Sequence, residues 1–508
     1  MANNLAQVWT RAELGLISPA VNVEVHISNG LPGLTLVGLP ESAVRESKDR
    51  VRSAILSSHA DYPTRRVTIN LAPADLPKMG GRYDLPIAIG MLAASGQVSL
   101  TKLSHYEWVG ELGLDGSLRP ISGVLPVAMA ARHSGRRLVV PLAQLNVCSA
   151  VPGLDVVGAE HLSDIMAYLN GQGELVAPNG LGVAIATAPI LDLLEVRGQA
   201  MGKRALEIAA TGGHSILFVG PPGSGKSMLA SRLSGLLPPL SESDRLEAAA
   251  IHSLAGMPVE AILAGQVPFQ APHHSSSSVA LVGGGSKPRP GAISLSSKGI
   301  LFLDELPEFD RHTLEMLREP LESGEVRIAR AAYQATYPAR FQLIAAMNPS
   351  PSGYFMDDPK CRSTPEQTAR YLAKISGPLL DRIDLQIELP SVEISALQNA
   401  PDGESTANVA ARVLQARSFS AARNKLNCEL TPNELDVYAK PDTAGEKLLA
   451  QSMQRFGLSA RSYHRILRVA RSIADLASSD NVQSSHLAEA LGLRMLERRM
   501  NKLGLNQG

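Results

Sequence analysis

The strongest structural signal in the chain is the segment Ser215-Ile216-Leu217-Phe218-Val219-Gly220-Pro221-Pro222-Gly223-Ser224-Gly225-Lys226-Ser227-Met228-Leu229-Ala230. Its apolar run has the length and β-branched content of a buried strand. A glycine loop follows, and then residues that favour a helix. Strand, glycine loop and helix in this order are the context that a phosphate-binding loop requires. A glycine-rich turn arising by chance is the alternative, and the flanking elements argue against it.

Each part of this loop has a predicted role in binding a nucleoside triphosphate. Backbone N–H groups close round the phosphates, and the helix N-terminus adds its partial positive charge. The lysine should reach the β- and γ-phosphates, and the following hydroxyl should ligate Mg²⁺. The predicted binding residues are Gly220, Pro221, Pro222, Gly223, Ser224, Gly225, Lys226 and Ser227. ATP and Mg²⁺ are the expected cofactors.

Length and composition limit the other possibilities. A chain of 508 residues is too long for one core and suggests about three domains. Lysine plus arginine equals aspartate plus glutamate, 48 each, so any contact with nucleic acid must come from local basic loops. Three dispersed cysteines argue against a disulfide framework and for a reducing compartment. With no signal sequence and no long apolar run, we expect a cytoplasmic protein without a membrane span.

Two acidic residues end a second apolar strand, Gly299-Ile300-Leu301-Phe302-Leu303-Asp304-Glu305. Downstream of a phosphate loop, Asp304 is predicted to hold Mg²⁺ together with Ser227. Glu305 is predicted to polarise the attacking water, because phosphoryl transfer depends on positioning and on charge stabilisation.

Three further polar residues are candidates for the same chemistry. Asn348 follows a strand at 342–346 and can sense the γ-phosphate, or else cap a turn. Arg382 is placed to reach a neighbouring subunit's nucleotide, or else to form a plain salt bridge. Arg461 opens a helix with one cation per turn, which is either a nucleotide contact or part of a solvated face.

Cationic loops are the candidates for DNA contact. Lys287 and Arg289 lie in a Gly/Pro-rich insertion without an acid, which is alternatively a flexible surface loop. The alternation over residues 326–341 predicts a β-hairpin whose arms carry Arg327, Arg330 and Arg340. Aromatic residues total 4%, so base stacking on aromatic platforms is disfavoured.

The expected organisation is an α+β domain at 1–165, a linker at 166–190, a motor core at 191–390 and a helical domain at 391–508. Together, residues 220–227, Asp304, Glu305, Asn348, Arg382 and Arg461 resemble a complete AAA+ ATPase set. The resemblance implies an α/β fold with a P-loop motor and a helical C-terminal lid. The hairpin resembles that of minichromosome-maintenance helicases, in which a basic residue matching Arg330 touches DNA.

The first domain resembles the proteolytic domain of Lon-type proteases, although its catalytic positions differ. Asp84 and Leu125 align with the catalytic serine and lysine, so neither the nucleophile nor the base is present. We therefore expect this domain to be catalytically inactive.

A closer similarity, to the ComM/YifB family, covers nearly the whole chain. It rests on Ala271-Pro272-His273-His274, Gly283-Gly284-Gly285-Ser286, Leu303-Asp304-Glu305-Leu306-Pro307-Glu308-Phe309 and residues 376–384. The resemblance implies a homohexameric, magnesium-chelatase-like DNA helicase that promotes branch migration during natural transformation. DNA and other recombination proteins are the candidate partners. Many members carry four cysteines where this chain has Ser350, Ser352, Cys361 and Ser363. One thiolate cannot make a tetrahedral site, so we expect no structural zinc.

Two other functions stay open on sequence alone. The main alternative is a magnesium chelatase-type motor that remodels a protein partner. Such a motor has the same ATPase residues, so these residues do not distinguish it from a helicase. A protease-linked unfoldase is disfavoured by Asp84 and Leu125.

Overall fold

The structure is a computed structural model that describes residues 4–179, 190–285, 288–330, 333–392, 403–456 and 458–494. The chain forms two compact units. The first contains Met1–Thr187, Glu242–Gln266 and Ala329–Tyr337, and the second contains Ala188–Ser241, Val267–Ile328 and Pro338–Gly508. Two stretches that follow the phosphate loop in sequence are therefore grouped with the first unit. The four-part domain division stays a prediction.

The N-terminal region alternates short strands with helices, as its sequence pattern predicts. The strands are β1 (Leu5–Arg11), β2 (Ala20–Ser28), β3 (Gly33–Val37), β4 (Arg66–Ala72), β5 (Tyr106–Trp108), β6 (Glu111–Leu112), β7 (Leu118–Arg119), β8 (Arg137–Pro141) and β9 (Val156–Ala159). The helices are α1 (Ser42–Ser57), α2 (Asp84–Ala94), α3 (Val124–Arg132), α4 (Leu142–Ser149) and α5 (Leu162–Leu169). Helix α5 runs across residue 165, where the sequence suggested a boundary.

One mixed seven-stranded sheet organises this region, in the order β3-β4-β2-β1-β5-β8-β9. Strands β1, β2 and β4 pair antiparallel, whereas β5, β8 and β9 pair parallel. Every residue of α2 is buried, and this helix packs on β1 and β2. The packing is close because Gly90 lacks a Cβ, which would lie 2.6 Å from a Val25 methyl group.

The central part of the chain contains the phosphate loop and the strands around it. Its strands are β10 (Ile216–Val219), β11 (Phe269–Gln270), β12 (Gly283–Gly284), β13 (Arg289–Pro290), β14 (Ile300–Leu303), β15 (Glu325–Arg330), β16 (Tyr333–Pro338), β17 (Gln342–Met347) and β18 (Leu385–Glu388). Its helices are α6 (Ala200–Gly212), α7 (Lys226–Leu236), α8 (Glu242–Leu254), α9 (Glu260–Leu263), α10 (Ser278–Val282), α11 (Ala292–Leu295), α12 (Arg311–Glu315), α13 (Arg318–Ser323), α14 (Pro365–Leu372) and α15 (Gly377–Leu380).

A five-stranded parallel sheet places the carboxyl ends of its strands at one edge. Its order is β11-β14-β17-β10-β18. Val219 pairs with Met347, and Leu303 pairs with Ala345. The phosphate loop, the Asp304 segment and Asn348 therefore follow three adjacent strands at the same edge. This edge is where open α/β sheets bind ligands.

The C-terminal region is helical, as predicted. Its helices are α16 (Thr406–Ala422), α17 (Pro432–Tyr438), α18 (Thr443–Phe456), α19 (Ala460–Leu476) and α20 (Ser484–Gly492). Short 3₁₀ helices elsewhere in the chain are Gly81–Tyr83, Leu103–His105, Leu193–Glu195, Leu306–Glu308 and Asn427–Glu429. Apolar residues of the sheet, such as Phe218, share one buried cluster with Ile466 and Ile473 of α19. The helical region and the sheet of the second unit therefore have a common core.

The structure corrects two local interpretations. Strands β15 and β16 form the predicted hairpin, but Arg340 lies beyond its second strand. The arginines of α19 after its first turn do not form a solvated face. Arg465 and Arg468 are part-buried and hydrogen-bonded, and the side chain of Arg471 is 2% exposed.

Among the described residues, no helix combines the length and the apolar character needed to cross a membrane.

Candidate nucleotide site

Lys226 lies at the first position of α7 and points back across the glycine loop. Its Nζ donates to the carbonyl oxygens of Gly220 and Pro221 at 2.8 and 2.9 Å, and to Asn348 Oδ1 at 3.2 Å. Burial lowers the pKa of this ammonium, and the nearby carboxylates of Asp304 and Glu305 act in the opposite direction. The side chain is thus aimed into the loop that its motif predicted.

The loop backbone takes the conformation that glycine allows. Gly223 and Gly225 have φ values of +76° and +85°, in the left-handed region that other residues rarely adopt. At Gly220 there is no room for a side chain, because a Cβ would lie 2.6 Å from the Leu389 carbonyl oxygen. The glycine positions of the motif are therefore required by the backbone itself.

The two residues predicted to hold Mg²⁺ are in direct contact. Ser227 Oγ donates to Asp304 Oδ2 at 2.6 Å. A hydroxyl and a carboxylate at this distance match the hard oxygen ligands that Mg²⁺ prefers. Together with the lysine and the glycine loop they fit an ATP–Mg²⁺ complex, in which Ser227 and Asp304 would be the protein ligands of the metal.

Glu305 has a strained backbone and a partner that the sequence did not suggest. Its φ and ψ are 52° and 49°, a left-handed conformation that is unusual for a residue with a side chain. Its Oε2 lies 3.1 Å from His274 Nδ1, and the carboxylate side chain is 53% exposed. The His274 ring lies against that of His273, with ring centroids 4.1 Å apart, and it is nearly perpendicular to the ring of Phe309. His274 therefore lies within hydrogen-bonding distance of the carboxylate predicted to activate water.

Arg382 and Arg461 lie together in a second location, a cavity of about 160 Å³ within the second unit. Among the described residues, neither is a hydrogen-bonding partner of Lys226. The cavity is lined by four arginines, one histidine and two carboxylates: Arg382, Arg461, Arg465, Arg468, His464, Glu322 and Asp381. The structure thus divides the predicted catalytic residues into two groups. One is at the phosphate loop, and the other is in a cationic cavity.

The cavity wall is fixed by a buried carboxylate, Asp384. Arg465 Nη1 donates to Asp384 Oδ1 at 2.6 Å and to the Arg382 carbonyl oxygen at 2.8 Å. Burial alone would raise the pKa of Asp384, but Arg465 and His214 outweigh it and hold that pKa below its ordinary value. Asp384 therefore stays charged, and it ties helix α19 to the segment that carries Arg382.

The predicted DNA contacts are described only in part. Arg289 and Arg327 are exposed, and Arg327 lies 3.6 Å from Glu325. Lys287 and the side chain of Arg330 lie outside what the structure describes. These four assignments stay predictions.

The positions aligned with the Lon dyad have structural partners. Asp84 is fully buried and accepts hydrogen bonds from Arg50 Nε at 2.7 Å and Arg50 Nη2 at 3.0 Å. Leu125 is buried as well, and its amide lies 3.4 Å from Ser253 Oγ. Neither side chain is the serine or the lysine that a Ser-Lys mechanism requires.

The serines and the cysteine at positions 350, 352, 361 and 363 lie close together, but three of the four side chains are hydroxyls and not thiols. Ser350 and Ser352 have their Oγ atoms 3.1 Å apart, and Cys361 Sγ lies 3.5 Å from Ser352 Oγ. Ser363 Oγ accepts from the Ser352 amide at 3.0 Å. Hydrogen bonding with the Ser352 side chain is the main cause of a lowered pKa of the Cys361 thiol. Within the described part of the chain, no group of three or more His, Cys, Asp or Glu side chains is arranged to hold a metal.

Comparison with known proteins identifies the family. A family model described as magnesium chelatase, subunit ChlI, matches residues 192–397, and its C-terminal counterpart matches 403–494. A third, described as subunit ChlI of Mg-chelatase, matches 23–144. The chain is 48% identical over 506 residues to competence protein ComM of Haemophilus influenzae, covering 98% of this chain and 99% of the relative. The chain belongs to the ComM/YifB family of magnesium-chelatase-like AAA+ proteins.

The chain is also similar to a second relative over its full length and to a third over part of its length. It is 50% identical over 497 residues to the uncharacterized protein YifB of Salmonella typhimurium, covering 97% of this chain and 98% of the relative. A more distant similarity, 24% over 220 residues, links it to maternal DNA replication licensing factor mcm6 of Xenopus tropicalis. That match covers 40% of this chain and 25% of the relative. The resemblance to the ComM/YifB family is thus confirmed, and so is the AAA+ fold class.

Two residues of the candidate sites were assigned no role from sequence. His274 lies in the Ala271-Pro272-His273-His274 motif of the family, so a sequence signal was present, but its partner Glu305 follows a different strand, β14. Glu322, which pairs with Arg382, sits in a short charged helix with no distinguishing pattern. Only the tertiary contacts identify either residue.

Proposed function

We propose that this protein is an ATP-driven ring motor of six copies that moves along DNA in the cytoplasm and promotes branch migration while transforming DNA is integrated. The observation that carries the proposal is the gathering of Lys226, Ser227, Asp304 and Asn348 at one edge of a parallel sheet. The competence role rests on the full-length similarity to competence protein ComM.

Each residue of the loop site has a defined task in ATP hydrolysis. Lys226 binds the phosphates, and Ser227 with Asp304 would hold Mg²⁺, which neutralises phosphate charge when bound. Glu305 orients the attacking water, and His274 holds the Glu305 carboxylate in place. Asn348 contacts Lys226 and is positioned to sense the γ-phosphate.

We further propose that Arg382 and Arg461 act on the nucleotide of a neighbouring copy. The support is their shared cavity, which is separate from the contacts of Lys226. A guanidinium supplied across a subunit interface stabilises the charge that develops during phosphoryl transfer. On this proposal, a complete catalytic site exists only in the assembled ring.

The DNA partnership is tested by ATP hydrolysis with and without single-stranded DNA and by strand displacement on forked DNA. Arg330→Ala and Lys287→Ala should weaken DNA binding and slow strand displacement. Arg311→Ala, an exposed arginine of the second unit, is the matched control and should leave both unchanged. If Arg330→Ala and Lys287→Ala both behaved like the control, the assignment of these loops to DNA would be wrong.

A second candidate is a magnesium chelatase-type motor that remodels a protein partner, because the three matching family models carry that description. One of them covers the first domain, so the presence of that domain does not separate the two functions. Stimulation of ATP hydrolysis separates them. Single-stranded DNA should raise the rate, whereas a porphyrin-binding protein partner should leave it unchanged.

A further inference from the structure

Arg382 is paired within its own chain. Its Nη2 forms an ion pair with the Glu322 carboxylate, and its Nη1 donates to the Pro378 carbonyl oxygen at 2.6 Å. The side chain is only 8% exposed. Its Nε is buried and has no hydrogen-bond partner in the part of the chain that the structure describes. The guanidinium is thus neutralised by a carboxylate, while its buried Nε–H is left without a partner among the described residues.

Glu322 is far more accessible than the arginine that it binds. It is the second-last residue of α13, and its side chain is 60% exposed. Both residues line the cationic cavity, where Arg461 and Arg468 supply further positive charge. An incoming anion therefore meets a positive field, and the carboxylate of Glu322 can turn out into solvent without being buried elsewhere.

We propose that Glu322 is a positioning residue. It stays paired with Arg382 until the triphosphate bound to a neighbouring copy displaces the Glu322 carboxylate. The inference rests on the proposed role of Arg382 across the subunit interface. A guanidinium this shielded from water is costly to leave without an anion, so it exchanges one anion for another. A partly exposed ion pair is weak enough for a phosphate to replace.

The surrounding contacts confine the change to side chains. Arg465 holds the Arg382 carbonyl oxygen at 2.8 Å, and it is itself bound to the buried Asp384. Because the backbone is held, only the guanidinium and the carboxylate need to move. Glu322 therefore raises the ATP concentration at which the shared site is filled.

The test compares ATP hydrolysis by the full-length wild type and Glu322→Gln over a range of ATP concentrations. Removing the competing carboxylate should lower KM for ATP about threefold, the scale of one partly exposed ion pair, without raising kcat. Glu319→Gln, which removes the same charge from the exposed surface of α13, is the matched control and should keep the wild-type KM. Thermal unfolding of each variant checks that the fold is retained.

The outcomes separate this inference from the proposed function. If Arg382→Ala hydrolyses ATP like the wild type, the shared site is wrong and this inference falls with it. If Arg382→Ala is inactive but Glu322→Gln keeps the KM of Glu319→Gln, only the role of Glu322 is overturned. A fall in kcat with unchanged KM also overturns it, because a purely structural role predicts that result.

Discussion

Lys226 shows how single residues define the loop site. Two loop carbonyls and Asn348 fix its ammonium, while Ser227 and Asp304 meet 2.6 Å apart. On the proposed function, binding and turnover depend on different side chains, since the lysine would contact phosphate and Glu305 would orient water. Substitutions should separate the two steps.

Glu305→Gln should keep ATP affinity within about twofold and lower kcat by about a hundredfold, because the phosphate-binding residues remain while the water-orienting carboxylate is lost. Lys226→Ala should lose ATP affinity in addition to turnover. Fluorescent-nucleotide binding and steady-state hydrolysis measure the two effects. Glu308→Gln, which neutralises another acid of the same segment, is the control. Normal hydrolysis by Glu305→Gln would assign water activation to another residue.

His274→Ala should lower kcat about tenfold and leave the ATP affinity unchanged. The side chain holds the half-exposed Glu305 carboxylate at 3.1 Å, and a carboxylate without this partner orients water less well. His273→Ala is the control, because that ring stacks on His274 and hydrogen-bonds Ser275 instead. Equal rates for the two variants would contradict the positioning role of His274.

At the scale of elements, an ion pair joins two helices of the first unit. Arg50 lies on α1 and is 24% exposed, whereas its partner Asp84 opens α2 and is fully buried. Burial raises the pKa of Asp84 to about 6, although Arg50 acts to lower it. At the position aligned with the catalytic serine of Lon-type proteases, this chain therefore has a structural contact between two helices.

Arg50→Ala should destabilise the first unit by about 3 kcal/mol at pH 7, because the buried Asp84 would lose its ion-pair partner and would have to stay charged without it or take up a proton. Since the folded pKa of Asp84 is raised, protonation favours the folded state, and the penalty should shrink as pH falls from 7 to 5. Urea unfolding can be followed by the fluorescence of Trp9 and Trp108, the two tryptophans of the chain. They report on this unit alone, since both lie within it.

The exposed Arg45 on the same helix provides the control for this experiment. Arg45→Ala should change stability by less than about 0.5 kcal/mol. A penalty for Arg50→Ala that matched the control, or that grew at pH 5, would contradict the assignment of the buried pair.

At the scale of the whole molecule, the two groups of catalytic residues predict a site divided between copies. Lys226→Ala and Arg382→Ala should each be inactive alone, for different reasons. Mixed in equal amounts, about a quarter of the interfaces in a randomly assembled ring should join an intact loop to an intact arginine. ATP hydrolysis should therefore reappear on mixing. A mixture as inactive as its components, although it assembles, would show that each copy completes its own site.

Much of the loop site follows from local sequence. The apolar runs that became β10 and β14 are each buried at every residue, and the glycines at 223 and 225 have the conformation their motif requires. Asn348 also follows a strand in the predicted place. These signals are local because a strand, its turn and its helix are set by neighbouring residues.

Sequence alone therefore determined the family, the phosphate loop, and Asp304 and Glu305, since each was recognised from a short run of consecutive residues. Tertiary structure decided which distant side chains meet. The His274–Glu305 contact, the Arg382–Glu322 ion pair and the Arg50–Asp84 pair all join separate elements. Such pairings depend on strand order and helix packing, to which no short pattern in the chain corresponds.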